Sequence, residues 1–251
     1  MSTLKDEPQP RPVWTLLYPV ASTRGISFIL AATALLIVGR SFPAGLRRNP
    51  GLYILLLATV LIASYLYRVV EDTVIGRERP PRLKPDDWED AWRDLLHTLG
   101  GCVIAFLPVF SLLLFALVKQ ANHLREEWFQ LLLVACLFVG TLYYPMALLL
   151  NGFTQRFATA FNFGVGFRGI RTMGVDYFIC CLFFLATHGS WILLEVYWVG
   201  TTPSGWNGAR LVASAVSAFA GLYLSVMQMR ALGLLYRKHQ ERLGWSIGKD
   251  A

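Results

Sequence analysis

Six long apolar stretches run through the chain, and the positive charges between them fall mostly in alternate gaps. The stretches are Val20 to Gly39, Gly51 to Tyr67, Leu99 to Val118, Trp128 to Leu150, Val175 to Val199 and Leu211 to Met229. A bilayer core about 30 Å thick takes about 20 apolar residues per helical span, so each stretch has roughly the length of a crossing. Helices are the expected form, because they satisfy every backbone hydrogen bond within the segment. A β-barrel would show ten-residue strands of alternating polarity, and none are present. Composition agrees: 55% of residues are apolar and 16% charged, against about 25% charged in an ordinary soluble domain. The fold class read from this is an all-α polytopic membrane bundle, with about six transmembrane helices and one or two interfacial amphipathic helices. It divides into a polar N-terminal tail and interfacial approach (1–19), one six-helix transmembrane domain (20–229) and a basic C-terminal tail (230–251). The first span is the weakest. Arg24 interrupts it, and its unbroken apolar part is only Gly25 to Gly39, so a tilted or partly inserted helix is an alternative.

Residues Met1 to Pro12 are polar and Pro-rich, and no small-residue cleavage site follows Gly25 to Gly39, so a retained first helix is expected rather than a secretory signal. Seventeen of the 23 Lys/Arg lie in the N-terminal segment, the second loop, the fourth loop and the C-terminal tail; Arg40, Arg47, Arg48, Lys119, Arg125 and Arg210 are on the other side. The positive-inside rule then places both termini in the cytoplasm, as a multi-pass protein of the inner membrane. The net charge of +7 comes from membrane-flanking positions and not from a domain-sized patch. Membrane lipids, anionic headgroups included, are therefore the expected partners, and nucleic acid is not. Cys102, Cys136, Cys180 and Cys181 all sit inside spans without Cys-x-x-Cys spacing and read as small buried hydrophobes.

Two loops carry structure of their own. In the second, Pro80, Pro81 and Pro85 mark an irregular stretch, and from Asp86 onward Trp88, Trp92, Leu95, Leu96 and Leu99 recur at helical spacing while Asp87, Asp90 and Asp94 fall elsewhere. An interfacial helix is predicted, with Trp88 and Trp92 at the headgroup boundary and Asp86 or Asp87 at its N-cap. The string Asp86-Asp87-Trp88-Glu89-Asp90 matches an aspartate-rich magnesium–diphosphate pattern, yet no second acidic cluster faces it, and acidic residues in a first turn ordinarily complement the helix dipole. In the fourth loop, Asn151 to Gly174, Phe153, Phe157 and Phe161 share a stripe, Arg156, Arg168 and Arg171 lie off it, and Gly164, Gly166 and Gly169 are expected to break the helix. An interfacial course is preferred because arginines favour the headgroup level, with a re-entrant hairpin as the alternative.

Ionisable residues within spans are functional candidates by default. Asp176 begins the fifth span, His188 lies deeper, and Glu195 sits seven residues beyond it on the same face. About 10 Å of helix rise separates the last two, so they meet only through a water or another helix. They are read either as a polar pathway or as groups that bond a neighbouring helix. In the sixth span Ala213, Ser217, Gly221 and Ser225 form a face of small side chains that admits another helix closely, from this chain or from a second subunit. Pro108 and Pro145 are expected kinks.

Taken in order, Trp14, Tyr18 and Pro19 precede the first span, Tyr65-Leu66-Tyr67-Arg68 ends the second, and Gly76, the prolines and an Asp-rich helix reaching Asp94 follow. Tyr144-Pro145-Met146-Ala147-Leu148 and Asp176-Tyr177 come next. This order resembles domain-of-unknown-function family 4013 of bacterial and archaeal integral membrane proteins, over roughly residues 14–185. The resemblance implies a multi-helix membrane bundle and supplies no catalytic residue. Serine-hydrolase, zincin and P-loop signatures are missing, so no catalytic, cofactor-binding or metal residue is assigned and no cofactor is expected. The expected role is a scaffold or subunit associating with other membrane proteins or with a second copy. A transporter or channel component with a polar path along the fifth span is the alternative.

Overall fold

A computed structural model describes residues 18–20, 22–42, 50–81, 88–118, 127–154, 161–199 and 208–245. Among the described residues there are eight α-helices: α1 (Thr23–Ser41), α2 (Pro50–Val74), α3 (Trp88–Ala105), α4 (Leu107–Val118), α5 (Glu127–Thr154), α6 (Phe163–Met173), α7 (Val175–Leu194) and α8 (Gly208–Leu243). A single 3-10 turn, Tyr18–Val20, precedes α1, and α7 closes in a π-helical turn, Glu195–Val199. There is no strand among the described residues. Among the described residues, five helices are long and apolar enough to cross a membrane, and α3 with α4 forms a sixth candidate broken by a 69° bend.

That bend revises the third span. The expected surface helix and the start of the expected span form one helix, and the break falls at Phe106 rather than near Leu99. Pro108 explains its position: the residue has no N–H for the carbonyl of Ile104, and its ring crowds that carbonyl. Pro145, by contrast, stays inside a continuous α5. One residue from the carbonyl that Pro145 leaves without a donor, the Tyr177 hydroxyl of α7 donates to the Leu142 carbonyl at 2.6 Å. In the fourth loop, Gly164, Gly166 and Gly169 do not break a helix but lie within α6. Two of them bring α6 onto α5: a Cβ at Gly166 would fall 2.6 Å from the Tyr143 hydroxyl, and one at Gly169 3.0 Å from the Met146 methyl. Phe157 and Arg156 lie outside the described residues, as do Asp86 and Asp87.

The last helix departs most from expectation. Apolarity ends near Met229, yet α8 continues to Leu243, so the first part of the expected tail is helix. Its inner face persists, with Leu232, Leu235, Tyr236 and His239 buried at three- and four-residue spacing. α8 packs against α1, α2, α5, α6 and α7 and is the axis of the bundle. Around it lies the main core, including Tyr65, Leu149, Tyr177, Leu222, Leu232 and Tyr236. Arg40 at the end of α1, Glu195 at the end of α7 and Ser217 near the start of α8 meet at one end. The end of α2, the starts of α1 and α3, and the later half of α8 meet at the other, which is the Lys/Arg-rich end.

A charged cleft at the Lys/Arg-rich end

The last turns of α2 and the residue after it place Tyr67, Arg68, Glu71, Asp72 and Ile75 at three- and four-residue spacing, and the first turns of α3 do the same with Asp90, Arg93, Asp94 and His97. Such spacing puts each set on one helix face. The two faces, the first turn of α1 at Arg24 and the segment from Arg77 to Pro81 enclose a cleft of about 860 Å³. Among the described residues its walls carry five arginines (24, 68, 77, 79, 93) and five carboxylates (71, 72, 78, 90, 94). Arg77 pairs with Asp72 at 2.9 Å, and Arg93 with Asp90 at 3.4 Å. Deeper in, Asp94 is only 8% exposed and accepts a 2.8 Å hydrogen bond from the Ser64 hydroxyl of α2.

The rim is built by a helix stop. Gly76 adopts φ +90°, its N–H bonds the Thr73 carbonyl at 3.1 Å, and the Arg77 N–H reaches the Asp72 carbonyl at 2.8 Å. This is a Schellman ending, whose left-handed residue favours glycine. The Arg237 guanidinium lies 3.3 Å from where a Gly76 Cβ would stand, so the open glycine also seats α8 against the turn. Behind the rim, Arg230 donates to the Thr73 hydroxyl and to the Arg77 carbonyl, both at 2.9 Å, and lies 4.4 Å over the Tyr18 ring. A buried guanidinium is stable only when paired and hydrogen-bonded, and these contacts supply part of that need. Burial pushes the Tyr18 phenol up to about 12, against the opposing pull of Arg230.

The family described as "Protein of unknown function (DUF4013)" matches residues 51–198, more than half of the chain. The chain belongs to the DUF4013 family. No curated protein and no solved structure matches it. Several of the residues on which the family resemblance rests border the cleft of this DUF4013 chain: Tyr67 and Arg68, Pro80 and Pro81, and Asp94 line it, and Gly76 turns its rim.

The cleft was not among the sites expected from the sequence, and Asp94 had been expected on the solvent side of its helix. Those expected sites lie elsewhere. Asp176, His188 and Glu195 stand at three successive levels of α7, and each meets α8. Asp176 is bonded by Lys238 at 2.7 Å and by His239 at 2.9 Å, both on α8. Gln228 contacts the His188 ring Nδ1 at 2.8 Å and donates to the Thr187 hydroxyl. Glu195 accepts from Ser217 and faces Arg40 at 3.5 Å. The small face of α8 is filled by α7 of the same chain: Ser217 meets Glu195, and a Cβ at Gly221 would come 2.7 Å from the Trp191 indole nitrogen. Ala213 is buried, and Ser225 returns its hydroxyl to the Gly221 carbonyl at 2.8 Å. Trp88 and Trp92 meet edge-to-face at 5.8 Å; Trp88 is exposed, and Trp92 packs on Val60, Ala63, Ala91 and Leu95.

Proposed function

We propose that this chain is a multi-pass protein of the inner membrane, with both termini in the cytoplasm, and that it serves as a binding subunit of the scaffold class. Its working surface is the charged cleft, which opens toward the cytoplasm in this orientation. The observation that carries the reading is the convergence, among the described residues, of five arginines and five carboxylates from three separate stretches of chain on one cavity of ligand size. A polar route along α7 finds less support, because His188, Glu195 and Asp176 are bonded to α8 or α1 at each level.

The test is purification in mild detergent of the wild type beside Arg68→Glu and Arg93→Glu, followed by identification of every lipid and protein that accompanies each. A companion of the wild type should be lost from both variants while their elution volume stays the same. Identical companions in all three samples would overturn the assignment of the cleft as the working surface.

A further inference from the structure

The charge pattern of the cleft narrows what it can hold. Asp72 and Asp90 already face arginines of the same wall, and Asp94 is bonded to Ser64. Glu71, exposed on α2, and Arg24 on α1 make no ion pair among the described residues. A wholly anionic ligand would bring its charge against Glu71 and Glu78, and a wholly cationic one would meet Arg24 and Arg79. A ligand bearing a phosphate and an ammonium a few ångströms apart meets both signs, with guanidinium forks suited to the phosphate and carboxylates to the ammonium.

The surroundings are those of an amphiphile. Ile75, on the cleft wall, is 57% exposed. On α3 the polar face of Asp90, Arg93 and His97 runs beside exposed Leu96, Leu99 and Val103, which continue along the helix into its apolar part. A molecule with its head in the cleft therefore has an apolar track for its chains. The cavity, about 860 Å³, lies within the range of roughly 300–1,000 Å³ usual for small-molecule sites.

We propose that the cleft binds the headgroup of a zwitterionic phospholipid, with Arg24 and Arg93 toward the phosphate and Glu71 toward the ammonium. The inference rests on the reading of the cleft as the working surface and commits to a membrane lipid over a soluble phosphoamine because of the exposed apolar residues beside it.

The experiment uses the full chain in detergent micelles doped with phosphatidylethanolamine or phosphatidylglycerol of matched acyl chains, with retained lipid counted by native mass spectrometry. Wild type should retain phosphatidylethanolamine at least about tenfold better than phosphatidylglycerol. Glu71→Gln should erase that preference, and Arg24→Gln should weaken retention of both lipids. Equal or better retention of phosphatidylglycerol by the wild type would overturn the zwitterionic assignment, while continued sensitivity to Arg24→Gln would leave the cleft itself standing. Retention indifferent to both substitutions would overturn the cleft reading as well. Displacement of the lipid by equimolar soluble phosphoethanolamine would overturn the membrane source.

Discussion

Gly233→Ala is a change of one methyl group where α8 lies close against α2. The added Cβ would stand 2.6 Å from Thr73 Cβ, 2.8 Å from its Cγ2 and 3.1 Å from the Val70 carbonyl oxygen. Carbon atoms rest at about 3.5–4.0 Å, so the helices must part by about 1 Å or Thr73 must turn. Thr73 is held from both sides, because its hydroxyl donates to the Val69 carbonyl at 2.6 Å and accepts from Arg230 at 2.9 Å. Overpacking costs about 1–3 kcal/mol, and losing a hydrogen bond to a charged group about 1.5–3 kcal/mol. Alanine returns about 0.5–1 kcal/mol as the better helix former, leaving a net destabilisation of about 2–5 kcal/mol. Gly189→Ala on α7 is the control, since its Cβ would meet nothing within 4 Å and only the propensity gain remains. Thermal unfolding in dodecyl maltoside, followed by tryptophan fluorescence, should show Gly233→Ala melting well below wild type and Gly189→Ala at or above it. Equal melting of the two variants would refute the packing argument.

Other consequences can be checked in the same detergent. Ser64→Ala removes the hydrogen bond given for the buried Asp94 carboxyl and should cost about 1–3 kcal/mol, whereas Ser64→Ala with Asp94→Leu should be less destabilised than Ser64→Ala alone; additive losses would exclude the pairing. Tyr18 ionises near 10.0 when unfolded and near about 12 when folded, so its contribution to stability is intact below pH 10 and is lost as pH rises through about 12. Tyr18→Phe should make the alkaline decline shallower, as read from melting curves between pH 8 and pH 12. For threading, Arg79→Cys should react with an impermeant maleimide only from the cytoplasmic side and Phe42→Cys only from the opposite side, and labelling of both from one side would reject the orientation.

Helix number and approximate position were legible because apolarity over a bilayer's thickness is a one-dimensional signal. The far half of α8 escaped it. Arg230 and Arg237 lower hydropathy there, although Leu232, Leu235, Tyr236 and His239 keep the buried face in register. Pro108 marked a break, but a bend of 69° depends on what α3 and α4 each pack against. α3 shows a subtler point. Trp88, Leu96 and Leu99 are exposed, while Asp94, which the spacing had set apart from the packed face, is buried together with His97. Lipid is as apolar as a protein core, so inside a bilayer the polar face of a helix is the one that gains from contact with protein. The cleft was invisible for a further reason: Arg24, Glu71 and Arg93 belong to three different helices, and no spacing within one segment announces their meeting.

The central place of α8 also sets the order in which the protein can be completed. Asp176, Thr187 and Glu195 are made before the helix that carries their partners His239, Gln228 and Ser217. Until synthesis passes Gly208, those groups sit in a nascent α7 with the surface α8 will cover still open, and Thr73 awaits Arg230. A ribosome that stops early would thus release a bundle lacking its keystone and exposing polar groups within the membrane, the kind of fragment that quality-control proteases remove.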